Sequence, residues 1–172
     1  MAAVASEVVV ALGSNLGDSA ATLRAAIHRL RERSASGFAA SSLWRSTPVD
    51  CPPGSPQFLN AVTSFHPHAG ETPETLLGHL QTLEREFGRP PKLVLNEPRR
   101  LDLDLILFAD EVRSTPQLTL PHPRAHLRRF VLEPLCEIAP GLVLPGQTLT
   151  VRELLAGLPT DENFARFGGS EG

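Results

Sequence analysis

The segment LDLDLILF at 101–108 constrains this chain more than any other. Side chains alternate along a strand, so Asp102 and Asp104 share one face, about 7 Å apart. Leu101, Leu103, Leu105 and Leu107 then occupy the opposite face, and Ile106 and Phe108 continue the aspartate face as apolar residues. Apart from those two carboxylates the strand is apolar on both sides. Two carboxylates set side by side in such a strand lose hydration and repel one another, so something cationic must offset them. Magnesium suits the position because it prefers carboxylate oxygens and keeps waters that it can share with phosphates. Two carboxylates at this spacing can hold a pair of ions roughly 4 Å apart, the clamp of phosphoryl and nucleotidyl transfer. The alternatives are a structural ion pair with Arg99 or Arg100, or a strand end open to water. Asp-x-Asp by itself is a short motif. Pro98-Arg99 just before it, and the basic residues around it, favour the metal.

Those basic residues stand out against an acidic average. The net charge is -3, with no global pull toward nucleic acid or membrane. Yet Arg89, Lys92, Arg99, Arg100, Arg124, Arg128 and Arg129 fall in one stretch, which points to a local anion site. Cys51 and Cys136 are far apart and form no metal-like spacing, so neither a zinc site nor a disulfide frame is expected. MAAVASEVVVAL at the start has no basic region, and its apolar run is too short for a signal peptide or a membrane span. The expected location is the cytoplasm. The 172 residues fit a single domain over 1–172, with 1–6 and 166–172 expected to fray.

Along the chain, VVVAL at 8–12 reads as a buried strand ended by Gly13. Asp18 caps a helix whose Leu23, Ala26, Ile27 and Leu30 recur at helical spacing. A second strand is expected from Gly37 to Arg45 and a third over 58–65, separated by a proline-bearing loop. Thr72 and Pro73 open a second helix with a stripe of Leu76, Leu80, Leu83 and Phe87, ended by Gly88. A loop at 89–98 leads into the aspartate strand, taken here as a central one. Weaker signals give a strand near Leu118–Leu120 and helices through 130–139 and 151–158. The fold class is α+β: a ferredoxin-like βαββαβ core, its mainly antiparallel sheet packed with helices, plus C-terminal helical and strand additions. Gly13, Ser14 and Asn15 lack the spacing and lysine of a phosphate loop and are assigned to turn geometry and helix capping.

Seven segments, read in order, resemble the 6-hydroxymethyl-7,8-dihydropterin pyrophosphokinase family. They are ALGSNLGD at 11–18, STPV at 46–49, QFLNAV at 57–62, EREFGR at 84–89, EPRRLDLDLILF at 97–108, LTLPHPRAHLRRFVLEPL at 118–135 and EIAPGLVLP at 137–145. The resemblance implies transfer of pyrophosphate from ATP, with two Mg²⁺ ions, to hydroxymethyl-dihydropterin, releasing AMP in folate biosynthesis. It implies metal ligation by Asp102 and Asp104, and pterin stacking between Phe58 and Phe130. Asn60, with backbone around Thr47 and Val49, would read the pterin edge. Gln81, Glu84, Lys92, Thr119, His122 and Arg128 match nucleotide-contacting positions, and Arg89 and Arg99 match arginines that neutralise phosphate charge. The loops at 46–57 and 88–98 would close over the substrates. Without the resemblance, Phe58 and Phe130 would be core residues and Asn60 a partner for strand backbone.

Asn96 and Glu97 depart from the aromatic and small residues common before Pro-Arg in the family, which leaves the loop packing over adenine open. The partners implied are small molecules only, with no nucleic acid and no membrane, and a monomer is expected. At this length there is no room for a fused dihydropteroate synthase. Two other readings compete. A polymerase-β-like nucleotidyltransferase keeps its Gly-Ser turn and Asp-x-Asp close together, whereas Gly13 and Asp102 here are separated by two strands and two helices. A ferredoxin-like RNA-binding module would show aromatics on its sheet in a basic field, not aspartates in an acidic chain.

Overall fold

A computed structural model of the chain describes residues 7–15, 18–46, 57–88 and 101–168. In chain order the elements are β1 (Val8–Ser14), α1 (Ser19–Glu32), β2 (Ser34–Ala40), β3 (Trp44–Ser46), β4 (Phe58–Pro67), α2 (Pro73–Glu86) and β5 (Asp102–Phe108). There follow β6 (Arg113–Ser114), β7 (Thr119–Leu120), a short 3₁₀ turn at Ala125–Leu127, α3 (Arg129–Ile138), α4 (Val151–Ala156) and β8 (Phe164–Arg166). Through β5 this is the ferredoxin-like βαββαβ order, with the second strand in two pieces. The break falls at Ser41, whose N–H donates to the Val62 carbonyl while its hydroxyl accepts from the Val62 N–H. One residue thus occupies both bonding positions of Val62 and interrupts the strand expected over 37–45.

The helices start where local chemistry dictates. Asp18 accepts from the Ala21 N–H at the head of α1. Thr72 and Thr75 exchange side-chain and backbone bonds around Pro73 at the head of α2. Such reciprocal caps satisfy N–H groups that the helix itself cannot. Leu23, Ala26 and Leu30 of α1 and Leu76, Leu80 and Leu83 of α2 are buried, and pack on one face of the sheet against Val8, Val10, Leu12, Leu103 and Leu105. The opposite face carries a second core, in which Val131, Leu132 and Leu135 of α3 and Val151 of α4 meet Val9, Ala11, Val62, Ile106 and Leu107.

Strand order in the main sheet is β5-β1-β4-β3-β8, with β2 also pairing β4, and every pairing is antiparallel. Among the described residues the aspartate strand is therefore an edge strand, not the central one the sequence pattern implied. Apolarity on both faces comes here from two helical layers rather than from two neighbouring strands.

Strict alternation also fails near the end of β5. Val9 pairs Leu107 while the next residue, Val10, pairs Leu105, so Ile106 is an extra residue on β5. A β-bulge of this kind puts two successive residues on one side and reverses the faces beyond it. Ile106 and Leu107 accordingly join the α3 core, and Phe108 turns to the α1–α2 core. The expected placement of Leu107 and Phe108 is thus exchanged. The bulge has a further use, since the Ile106 carbonyl accepts from the His122 N–H at 2.8 Å and ties the 118–122 segment to the sheet edge.

The C-terminal strand β8 has no counterpart in the sequence pattern, and it corrects the expectation that the chain frays from 166. Arg166 pairs Trp44, and the Phe167 N–H donates to the Leu43 carbonyl at 2.9 Å. Phe164 stacks on Trp44 with ring centroids 5.5 Å apart, and Glu137 of α3 accepts from Trp44 Nε1 and from the Ser42 N–H and hydroxyl. Trp44 is the only tryptophan of the chain, so its emission reports this strap directly. Phe164→Ala is expected to shift Trp44 emission to the red and to cost about 1–2 kcal/mol in denaturant unfolding. Unchanged emission would mean that the stack does not shield the indole.

Candidate active site

Cross-strand register assembles the site. Asn60 of β4 faces Gly13 of β1, which faces Asp102 of β5; in the next row on the same face Val62, Ala11 and Asp104 align. Glycine and alanine on the middle strand leave the space between the amide and the two carboxylates unfilled. Gly13 thus lies inside β1, not in the turn assigned to it, and a Cβ built there would lie 3.6 Å from Asn60 Oδ1. Ser14 also belongs to β1, where its hydroxyl donates to Ser19 Oγ at the head of α1.

The result is a cleft of about 430 Å³, lined by Ala11, Gly13, Ser46, Phe58, Asn60, Asp102, Asp104, Arg128, Phe130 and Asp161 among others. Phe58 at the head of β4 and Phe130 in the first turn of α3 are 37% and 36% exposed. Phenylalanine is usually buried, and here two rings instead present surface to a cavity of ligand size. Asn60 is buried, and its Nδ2 donates to Ser46 Oγ at 3.2 Å, which fixes the amide so that Oδ1 lies toward Gly13. The Arg128 guanidinium sits over the Phe130 ring, 5.3 Å from its centroid. Arg128, placed by the sequence with nucleotide contacts, therefore borders the same cleft as the aromatic pair.

A second cleft of about 310 Å³ runs along the free edge of β5, lined by Leu77, Leu103, Asp104, Gln117, Thr119 and His122 among others. Asp104 borders both clefts, so the two spaces meet at the carboxylate pair. Asp102 and Asp104 are half-buried. Among the described residues no third histidine, cysteine, aspartate or glutamate joins them in a metal-binding cluster. Two oxygen donors with most coordination positions left to water and phosphate match the habit of magnesium, and they lack the nitrogen and sulfur ligands that zinc favours.

His122 is half-buried at the second cleft, and its Nδ1 accepts from the Arg124 N–H at 3.2 Å. The neutral ring thus carries its proton on Nε2. Burial first, then the nearby charges of Arg128 and Arg124, hold its pKa below the ordinary histidine value. Thr119 is exposed on β7 beside it. Gln81 is exposed on α2, one turn beyond Leu77 and so on the flank that meets the second cleft. Glu84 stands one turn beyond Gln81 on α2. It is buried, and its Oε2 accepts from the Leu103 N–H at 2.9 Å. Thr47, Val49, Arg89, Lys92 and Arg99 lie outside the described residues, as do Asn96 and Glu97. Ala11, Ser46 and Asp161 are lining residues that the sequence pattern did not single out. Ser46 and Ala11 sat within quoted motifs, whereas Asp161 had no local signal. It reaches the cleft because Arg129 donates to the Pro159 carbonyl at 2.6 Å and β8 anchors the other side. A separate groove between α1 and α2 is lined by Arg29 and Arg33, which are tied to Glu86 and Glu71, and none of the predicted site residues lines it.

Over residues 9–140 the sequence matches the family described as 7,8-dihydro-6-hydroxymethylpterin-pyrophosphokinase. The chain belongs to this family. A 2-amino-4-hydroxy-6-hydroxymethyldihydropteridine pyrophosphokinase of Pseudomonas aeruginosa is 40% identical over 167 residues, covering 95% of this chain and 98% of its own. One from Haemophilus influenzae is 38% identical over 141 residues, covering 81% of this chain and 86% of its own. A crystal structure of Plasmodium falciparum HPPK-DHPS superposes with a TM-score of 0.70 at 15% identity, over 93% of this chain. This member of the pyrophosphokinase family spans about half of that longer chain, 48%, and the likeness there is one of fold.

The His122 environment has a measurable consequence. Its folded pKa lies below the 6.5 of an unperturbed histidine, so as pH falls from about 6.5 the unfolded chain takes up the proton first and stability drops. An NMR titration should place the His122 ring below the ordinary value. Arg128→Ala should move it upward, and His122→Asn should flatten the fall of stability through that window.

Proposed function

We propose that this chain transfers the pyrophosphoryl group of ATP to 6-hydroxymethyl-7,8-dihydropterin, giving the pterin pyrophosphate and AMP in folate biosynthesis. The observation that carries the reading is that Asp104 borders both clefts. One cleft has the aromatic walls and buried amide suited to a flat heterocycle, and the other has the histidine and hydroxyl suited to phosphates. The family membership and the names of the relatives support the same reaction.

In this reading Phe58 and Phe130 hold the pterin between their faces, and stacking supplies both affinity and orientation. Asn60 Oδ1 accepts from the N–H edge of the ring, with backbone around Thr47 and Val49 completing that edge. The hydroxymethyl group then lies at the aspartates. His122 donates from Nε2 to a phosphate oxygen, beside Thr119 and Arg128. Gln81 stands along the same edge, and Arg89, Lys92 and Arg99 neutralise further phosphate charge. Asp102 and Asp104 would hold two Mg²⁺ ions, which when bound polarise the phosphoryl oxygens and acidify the attacking hydroxyl. The hydroxyl oxygen forms a bond to the β-phosphorus, the bond from that phosphorus to the α–β bridging oxygen breaks, and AMP departs with the electron pair. A carboxylate oxygen of the aspartate pair accepts the hydroxyl proton. Positioning and charge neutralisation account for most of the acceleration.

The same reading takes 1–172 as one pyrophosphokinase domain, monomeric and cytoplasmic. Its partners are these small molecules rather than nucleic acid or membrane, in keeping with a net charge of -3. No helix among the described residues is long and apolar enough to cross a membrane.

The deciding experiment mixes the protein with Mg-ATP and the reduced pterin and follows AMP and pterin pyrophosphate by chromatography. ATP hydrolysed to ADP with the pterin untouched would sink the reading. Asp102→Asn and Asp104→Asn are each expected to lower turnover by about 100-fold or more. Gly13→Val fills the floor between Asn60 and Asp102. Calorimetry should show pterin affinity falling by about 10-fold, with nucleotide affinity kept.

A further inference from the structure

Glu84 is 6% exposed, an uncommon setting for a carboxylate. It sits on α2 directly after Leu83 of the buried stripe, where an apolar residue would have been the less costly choice. What an apolar residue would not supply is an acceptor for β5. Among the described residues that strand is at the sheet edge, with no strand beside its outward amides. The Leu103 N–H is one of these, and Glu84 Oε2 accepts it at 2.9 Å. Leu103 lies between Asp102 and Asp104. The peptide plane that carries this N–H also carries the Asp102 carbonyl, so its tilt sets the direction in which the neighbouring side chains leave the strand. Glu84 also forms no metal-binding cluster with the aspartates among the described residues, which separates it from ligation itself.

We propose that Glu84 is a positioning residue for the aspartate pair. By holding the Leu103 amide from α2, it fixes the strand between the two carboxylates and aims both at a shared metal–phosphate site. A water in its place would satisfy the amide without anchoring the edge to the helix layer. The role is carried by the acceptor that Glu84 offers to the Leu103 amide across the gap from α2. This inference rests on the function proposed above.

Two conservative variants separate reach from charge. Glu84→Gln keeps the length and an acceptor oxygen but loses the charge. Glu84→Asp keeps the charge and falls short by one methylene, about 1.5 Å. For each we would measure hydrogen exchange of the Leu103 amide, Mn²⁺ affinity in the presence of an ATP analogue, and the magnesium concentration that half-saturates turnover. Glu84→Gln should rescue all three to within about threefold of the parent, and Glu84→Asp should speed Leu103 exchange and weaken metal binding by about 10-fold. At saturating magnesium the KM for ATP should stay within about threefold in both variants. The reverse order, with Asp tolerated and Gln impaired, would overturn the proposal in favour of a role for the charge. A lowered melting temperature with unchanged Leu103 exchange and metal affinity would overturn it in favour of plain packing. The exchange and Mn²⁺ measurements need no pterin. A parent protein that makes no AMP would therefore count against the reaction, while these two arms still decide the role of Glu84.

Discussion

Antiparallel pairing of β1 on both of its edges, to β4 and to β5, is the constraint from which core and cleft both follow. Register across three strands sets Asn60, Gly13 and Asp102 in one row, and Val62, Ala11 and Asp104 in the next. The side-chain period of two then sends Val10, Leu12, Leu103 and Leu105 to the opposite face, under α1 and α2. A slip of one residue would bury the carboxylates among leucines and expose the leucines to the cleft, so the apolar pattern protects the register that the site needs. Core formation and site assembly are one event.

The two edges of that unit are treated differently. On the β5 side the edge is bonded by groups from outside the sheet: Glu84 takes the Leu103 amide, and the bulge at Ile106 offers a carbonyl to the His122 N–H. An edge strand open to solvent invites pairing with another chain, and such cover is one way to blunt it. Here the cover also fixes what borders the second cleft. At the other end, β8 closes over β3 through strand pairing and the Trp44–Phe164 stack, while Glu137 of α3 accepts from Trp44 Nε1. It thereby steadies Ser46, the hydroxyl that orients Asn60.

Carboxylates and cationic groups share the site. Asp102 and Asp104 share one cleft with Arg128, but Arg128 is drawn toward the Phe130 ring. His122 is kept neutral at neutral pH by burial and by the two nearby arginines. An arriving polyphosphate would bring its cations to the carboxylates and its phosphates to the arginines and the imidazole. Binding and site electrostatics are coupled through these groups.

Much of this was legible in residue order. Local rules read α1 and α2 from their caps and stripes, β1 and β4 from apolar runs, and Asp102 with Asp104 from alternation on one strand. Six of the predicted site residues, Phe58, Asn60, Asp102, Asp104, Arg128 and Phe130, do line one cleft. Tertiary structure decided what depends on distant partners. Edge or centre is invisible in a strand's own pattern, because two covering layers of helix produce the same apolar faces as two flanking strands. The bulge that moved Leu107 and Phe108 arises from pairing with Val9 and Val10, and the inward turn of Glu84 from an amide nineteen positions away in sequence. β8 and Asp161 gain their places only by packing on Trp44 and by the bond from Arg129 to Pro159. The sequence by itself determined which residue types this protein brings to its site. Which of them face the ligand and which hold the others in place was settled only by non-local hydrogen bonds, because such bonds form only once the chain has closed on itself.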